Sequence, residues 1–91
     1  MMRITACAKG RVQGVGYRYF VTDCARESGV SGFVKNMPDG SVTIVAEGSE
    51  DALDKFVRRV KAHNDVLIQV DTLEVTRCEP TGEFSGFWIS W

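Results

Sequence analysis

The sequence predicts an α+β domain: one antiparallel sheet with two helices packed on one of its faces. Three observations carry the prediction. Short stretches alternate apolar and polar residues with the period of two that a half-buried strand requires. Two longer stretches repeat their apolar residues at helical spacing. The two kinds follow one another as β-α-β-β-α-β with a short strand after the last, and turn-forming glycines mark several of the changes of period. A chain of 91 residues has room for one domain, here residues 1–91.

Each element has its own local reason. Residues 3–9 place Arg3, Thr5, Cys7 and Lys9 on one side and Ile4, Ala6 and Ala8 on the other, which is a strand. A loop with three glycines follows, Gly10 to Gly16. Then Tyr17, Phe20, Val21, Cys24 and Ala25 fall at i, i+3, i+4, i+7 and i+8, one face of a helix that Gly29 stops. Tyr17, Phe20 and Cys24 are expected in the core. Phe33 to Met37 reads as a short strand, Pro38-Asp39-Gly40 as a turn, and Ser41 to Glu47 as the returning strand with Val42, Ile44 and Ala46 inward. Ser49 is placed to cap a second helix with Glu50 and Asp51 in its first turn, an apolar stripe of Leu53, Phe56, Val57 and Val60, and Arg58, Arg59 and Lys61 near its end. His63 is expected at a helix end. Residues 68–77 alternate again, and Phe87 to Trp91 is a short last strand. Trp88 and Trp91 are assigned to closing the sheet edge or the core. The order is that of the split-βαβ, ferredoxin-like sandwich.

Composition removes several functions. Hydrophobic residues make up 44% and charged residues 25%, as in ordinary globular domains. Eleven Lys and Arg stand against twelve Asp and Glu, a net charge of −1, so the broad positive field of a nonspecific nucleic-acid binder is missing. No apolar run approaches membrane-spanning length, and the first residues form no apolar signal core. Three separated cysteines, Cys7, Cys24 and Cys78, fit a reducing cytoplasm better than a disulfide framework, and with one histidine they make no zinc motif. The surface law gives roughly 5,300 Å² for a folded chain of this mass, enough burial for a core without staples. A monomer is expected.

The chemistry is concentrated in Gly10-Arg11-Val12-Gln13-Gly14-Val15-Gly16-Tyr17-Arg18-Tyr19-Phe20. Glycines between a strand and a helix let backbone N–H groups converge into an anion-binding nest, and the helix N-terminus adds free donors and partial positive charge. No Lys-Ser or Lys-Thr pair follows, so this is no Walker loop, and the third glycine of a dinucleotide fingerprint is missing. Arg18 is the anomaly. A cation in the first turn of a helix opposes its dipole by about 0.3–1 kcal/mol, whereas an anion held between the arginine and the nest reverses that sign. A frayed, exposed arginine is the bland account; the three glycines before it favour the anion. Asn36 ends the second strand on the same sheet edge as the loop, where open sheets bind ligands. Its amide can orient a water, although an Asn before such a turn also serves as a turn cap.

These residues resemble a known signature. Gly10, Val12, Gln13, Gly14, Val15, Tyr17, Arg18 and Phe20, followed by Gly29, Gly32, Val34, Asn36, Asp39, Gly40, Val42 and Gly48, are similar to the pattern of the acylphosphatase family over nearly the whole chain. Tyr17 stands where many members carry Phe. The resemblance implies hydrolysis of a small-molecule acyl phosphate to a carboxylate and inorganic phosphate, the latter also an inhibitor, with no metal or cofactor. It implies that Arg18 and the backbone N–H groups of Gln13, Gly14, Val15, Gly16, Tyr17 and Arg18 bind phosphate, and that Asn36 positions the attacking water. A phosphate- or carboxylate-sensing module without turnover is the alternative from another class, and a water-positioning Asn36 is what such a binder has no need of. A ferredoxin-like nucleic-acid binder is a third, opposed by the balanced charge.

Overall fold

Strands and helices follow one another as the periodicity predicts: β1 (Met2–Arg11), α1 (Tyr17–Ser28), β2 (Ser31–Asn36), β3 (Val42–Gly48), α2 (Glu50–Val60), β4 (Gln69–Cys78) and β5 (Phe87–Ser90). The computed structural model describes residues 1–62 and 65–91; the expected helix-end residue His63 lies outside the described residues. The strands form one sheet in the order β4-β1-β3-β2-β5. β3 therefore separates the parallel strands β1 and β2, and the hairpin expected between β2 and β3 is present.

One part of the sheet departs from expectation. β1, β3, β2 and β4 pair antiparallel, but β5 runs parallel to β2. Both sides of β1 are already occupied, by β3 and β4, so the chain after β4 crosses to the free edge of β2. It enters there in the direction of β2, and the sheet is mixed rather than wholly antiparallel.

Strand parity decides which side chains meet the helices. Ile4, Ala6 and Ala8 of β1, Val42, Ile44 and Ala46 of β3, Val34 of β2 and Phe87 of β5 share one buried face. Tyr17, Val21, Cys24 and Ala25 of α1 and Leu53, Phe56 and Val60 of α2 cover it. The Tyr17 hydroxyl donates to the Val60 carbonyl at 2.7 Å, so the one polar atom of that buried ring is satisfied and α1 is tied to α2. Phe20 is half-buried against this core. The accessible surface is 5322 Å², what a single closed core of this mass leaves exposed.

The outer face has a smaller anchor that the sequence reading did not single out. Glu47 of β3 is 2% exposed. Its carboxylate accepts from the Thr81 N–H at 2.8 Å, the Thr81 hydroxyl at 3.0 Å and the Gly82 N–H at 2.9 Å, with Arg3 at 3.5 Å. Phe84 packs edge-on against Phe33 and lies under the Arg3 guanidinium. These contacts strap residues 79–86 across the sheet and deliver β5 to its edge.

Candidate active site

The site is assembled at one end of the sheet by register. Ala8 of β1 stands opposite Val42 of β3, and Val42 stands opposite Asn36 of β2, all on the helix-facing side. In β5 the last pair is Lys35 with Ser90, so Asn36 and Trp91 lie one step further, side by side. The glycine loop leaves β1 at this end and α1 begins above it.

Gly16 is the residue before α1 and has φ +82°, in the left-handed region that costs other residues about 1–2 kcal/mol. A side-chain cap is missing at that helix start, and its first turn carries no acidic residue. The first helical hydrogen bond runs from Phe20 N–H to Gly16 carbonyl, so the N–H groups of Tyr17, Arg18 and Tyr19 remain as donors. α2 is built the other way: Ser49 accepts from Ala52 N–H and Glu50 and Asp51 occupy its first turn, as expected. One helix has a closed N-terminus; the other leaves its donors and positive pole open.

A cavity of about 80 Å³ lies against that open end, lined by Val12, Gly14, Gly16, Tyr17, Arg18, Tyr19 and Asn36. The structure thus brings Arg18 and Asn36, distant in sequence, to one small space. Arg18 is half-buried and pairs with no carboxylate among the described residues. Asn36 Oδ1 is buried and has no hydrogen-bond partner among the described residues. An orphaned acceptor beside an unpaired cation is a place for a group that donates to one and accepts from the other.

The other expected residues divide. Gly14, Gly16 and Tyr17 line the cavity, whereas Gln13 and Val15 do not. Tyr17 contributes backbone only, because its ring is buried and its hydroxyl engaged. The Gln13 side chain is a strut: its amide N–H groups donate to the carbonyls of Met37 at 2.8 Å and Ser41 at 2.9 Å, fixing the loop to the β2–β3 turn that carries Asn36. Asp39 steadies the same turn by accepting from the Ser41 N–H and hydroxyl, and those two bonds, the hydroxyl foremost, hold its carboxyl below its ordinary value.

Two further observations correct or extend the sequence reading. Trp88 and Trp91 lie in and just past the edge strand β5, at the sheet edge rather than in the core, and are 62% and 81% exposed. The Arg18 guanidinium carbon instead lies over the Trp91 indole, 4.2 Å from its centroid. The larger groove between α1 and α2, about 540 Å³, offers no comparable chemistry. Its Glu27 and Arg59 pair with each other at 2.8 Å, and burial pushes the Cys24 thiol up to about 11, out of reach as a nucleophile at neutral pH.

Fold and site together define a class: a split-βαβ domain with an anion-sized cavity between the β1–α1 loop and the end of β2. A family model described as acylphosphatase matches residues 4–89. The chain is 45% identical over 89 residues to the acylphosphatase of Thermus thermophilus, covering 98% of this chain and 99% of that one. It is 42% identical over 89 residues to that of Methanospirillum hungatei, covering 98% and 97%. Its structure superposes on the crystal structure of the acylphosphatase from Bacillus subtilis with a TM-score of 0.93, at 40% identity and with both chains fully covered. The chain belongs to the acylphosphatase family.

Proposed function

We propose that residues 1–91 act as a monomeric cytoplasmic enzyme that hydrolyses the carboxyl–phosphate bond of acyl phosphates without a metal, holding the phosphoryl group with Arg18 and the backbone donors of residues 13–18 and orienting water with Asn36. The observation that carries this reading is the shared cavity: Arg18, which pairs with no carboxylate among the described residues, the open start of α1, and Asn36, whose buried amide oxygen has no partner among the described residues, line one space.

The chemistry follows from what each group can do. Phosphoryl oxygens are acceptors, so they take the N–H groups of the helix start and the fork of Arg18. Asn36 Oδ1 is an acceptor too and suits an O–H donor, a water whose lone pair is then turned toward phosphorus. The water oxygen forms a bond to phosphorus as the bond from phosphorus to the carboxyl oxygen breaks. The carboxylate leaves with that electron pair, and the water proton passes to a phosphoryl oxygen, giving dihydrogen phosphate. A carboxylate is a good leaving group, so positioning and stabilisation of phosphoryl charge carry the reaction, and no side-chain base is required.

Benzoyl phosphate hydrolysis in the presence of chelator tests the reading. Arg18→Ala is expected to lose at least about 10²–10³ in rate, the cost of one preorganised donor, and to weaken inhibition by inorganic phosphate. Asn36→Ala is expected to slow turnover while phosphate still inhibits. Near-parental rates in both variants would place the chemistry elsewhere. The pH profile should show no steep titration of a protein group.

A further inference from the structure

The cavity holds about 80 Å³. It suits a phosphoryl group, and the acyl half of the substrate must lie outside. What stands outside is aromatic. Tyr19 lines the cavity and is 62% exposed. Trp91 is 81% exposed although it lies against the guanidinium of Arg18, a lining residue of the cavity. The parallel register of β2 and β5 puts it next to Asn36 on the same side of the sheet.

The Arg18–Trp91 contact is compatible with phosphate binding. The cation lies over the π face of the indole, whereas a phosphate is taken by the N–H groups in the guanidinium plane. The indole therefore does not compete for the phosphoryl group. It stands next to Arg18 with most of its surface free.

We propose that Trp91 is the acyl-side specificity residue of this site and that, with Tyr19, it favours flat apolar acyl groups, aromatic ones above all, over small ones. This rests on the reading of Arg18 as the phosphate-holding group. Aromatic pairs contribute enough beyond simple burial to change a binding ratio about two- to tenfold.

The test compares kcat/KM for benzoyl phosphate with that for acetyl phosphate in the parent, Trp91→Ala, Trp88→Ala and Arg18→Ala, with circular dichroism as the check on folding. In Trp91→Ala the benzoyl-to-acetyl preference should fall about three- to tenfold, chiefly through a higher KM for benzoyl phosphate. Trp88→Ala, on the opposite face of the same strand, should keep the parental preference. Equal loss on both substrates in Trp91→Ala would overturn the proposal, because a merely structural role lowers both rates together. Should the alanine variant not fold, Trp91→Leu keeps apolar bulk without the ring and must show the same fall in preference. Persistent turnover of both substrates in Arg18→Ala would overturn the underlying site reading, whereas its loss beside an unchanged Trp91→Ala preference would overturn the specificity proposal alone.

Discussion

At the scale of single residues, Gly16 holds the entry to α1 in the left-handed region. An added Cβ there would meet nothing within 4 Å, so a substitution is opposed by backbone conformation alone. Gly16→Ala is therefore expected to cost about 1–2 kcal/mol in chemical denaturation, the left-handed penalty, and to lower kcat/KM by tenfold or more as the first-turn N–H groups swing away. A variant with parental kinetics would show that these donors do not touch substrate. Arg18 was legible in the sequence because a cation at a helix start violates the dipole preference, and the glycines before it explain why. Asn36 was ambiguous, since turn caps use the same residue. Gln13 was legible as part of the loop but not as a strut, because its partners are the carbonyls of Met37 and Ser41, more than twenty residues away. Trp91 carried no signal of its own: its place beside Arg18 depends on the pairing of β5 with β2.

At the scale of elements, the two helices make a contrast that can be measured. Ser49 closes the start of α2 through Ala52 N–H at 3.1 Å, far from the cavity. Ser49→Ala should cost about 1 kcal/mol in stability and leave kcat and KM unaltered. A change in KM would mean that α2 communicates with the cradle. The helices, β1 and β2 were readable from periodicity because each buries one face more than the other, and β3 because its sequence alternates although it is buried on both faces. β4 was expected at 68–77 and spans Gln69–Cys78, a shift within the usual fraying of ends. The direction of β5 was not readable. Its four residues, Phe87–Ser90, are compatible with either direction, and only the strapped crossing of residues 79–86 decides between them.

At the scale of the whole molecule, Glu47 ties the chain that follows β4 to the outer face of the sheet. The Thr81 N–H first, then the Gly82 N–H and the Thr81 hydroxyl, with Arg3 beyond them, hold its carboxyl below the ordinary value of 4.5, while burial opposes them. A depressed carboxyl stabilises the fold fully above its unfolded value and loses that contribution as the pH falls through the folded one. The melting temperature of the parent should therefore drop below about pH 4.5. Glu47→Gln should melt lower than the parent at pH 7 and show a shallower acid decline. Identical acid limbs for the two proteins would assign the loss to other carboxyls. Glu47 escaped the sequence reading because a lone Glu on an alternating strand reads as solvent-facing, and nothing nearby in the chain foretells the backbone donors from residues 81 and 82.

The short parallel pairing of β5 has a kinetic consequence. Phe87 anchors the start of β5 in the core, so only its far end, Ser90 and Trp91 at the sheet edge, can lift away without disturbing β1, β3 or the helices. Such an opening would carry Trp91 off Arg18 while the glycine loop stays formed. The protein should then interconvert between a form with a complete acyl platform and a form with the phosphate cradle alone. Amide protons of Ser90 and Trp91 should exchange with deuterium well before those of β3, and benzoyl phosphate, unlike phosphate by itself, should slow that exchange.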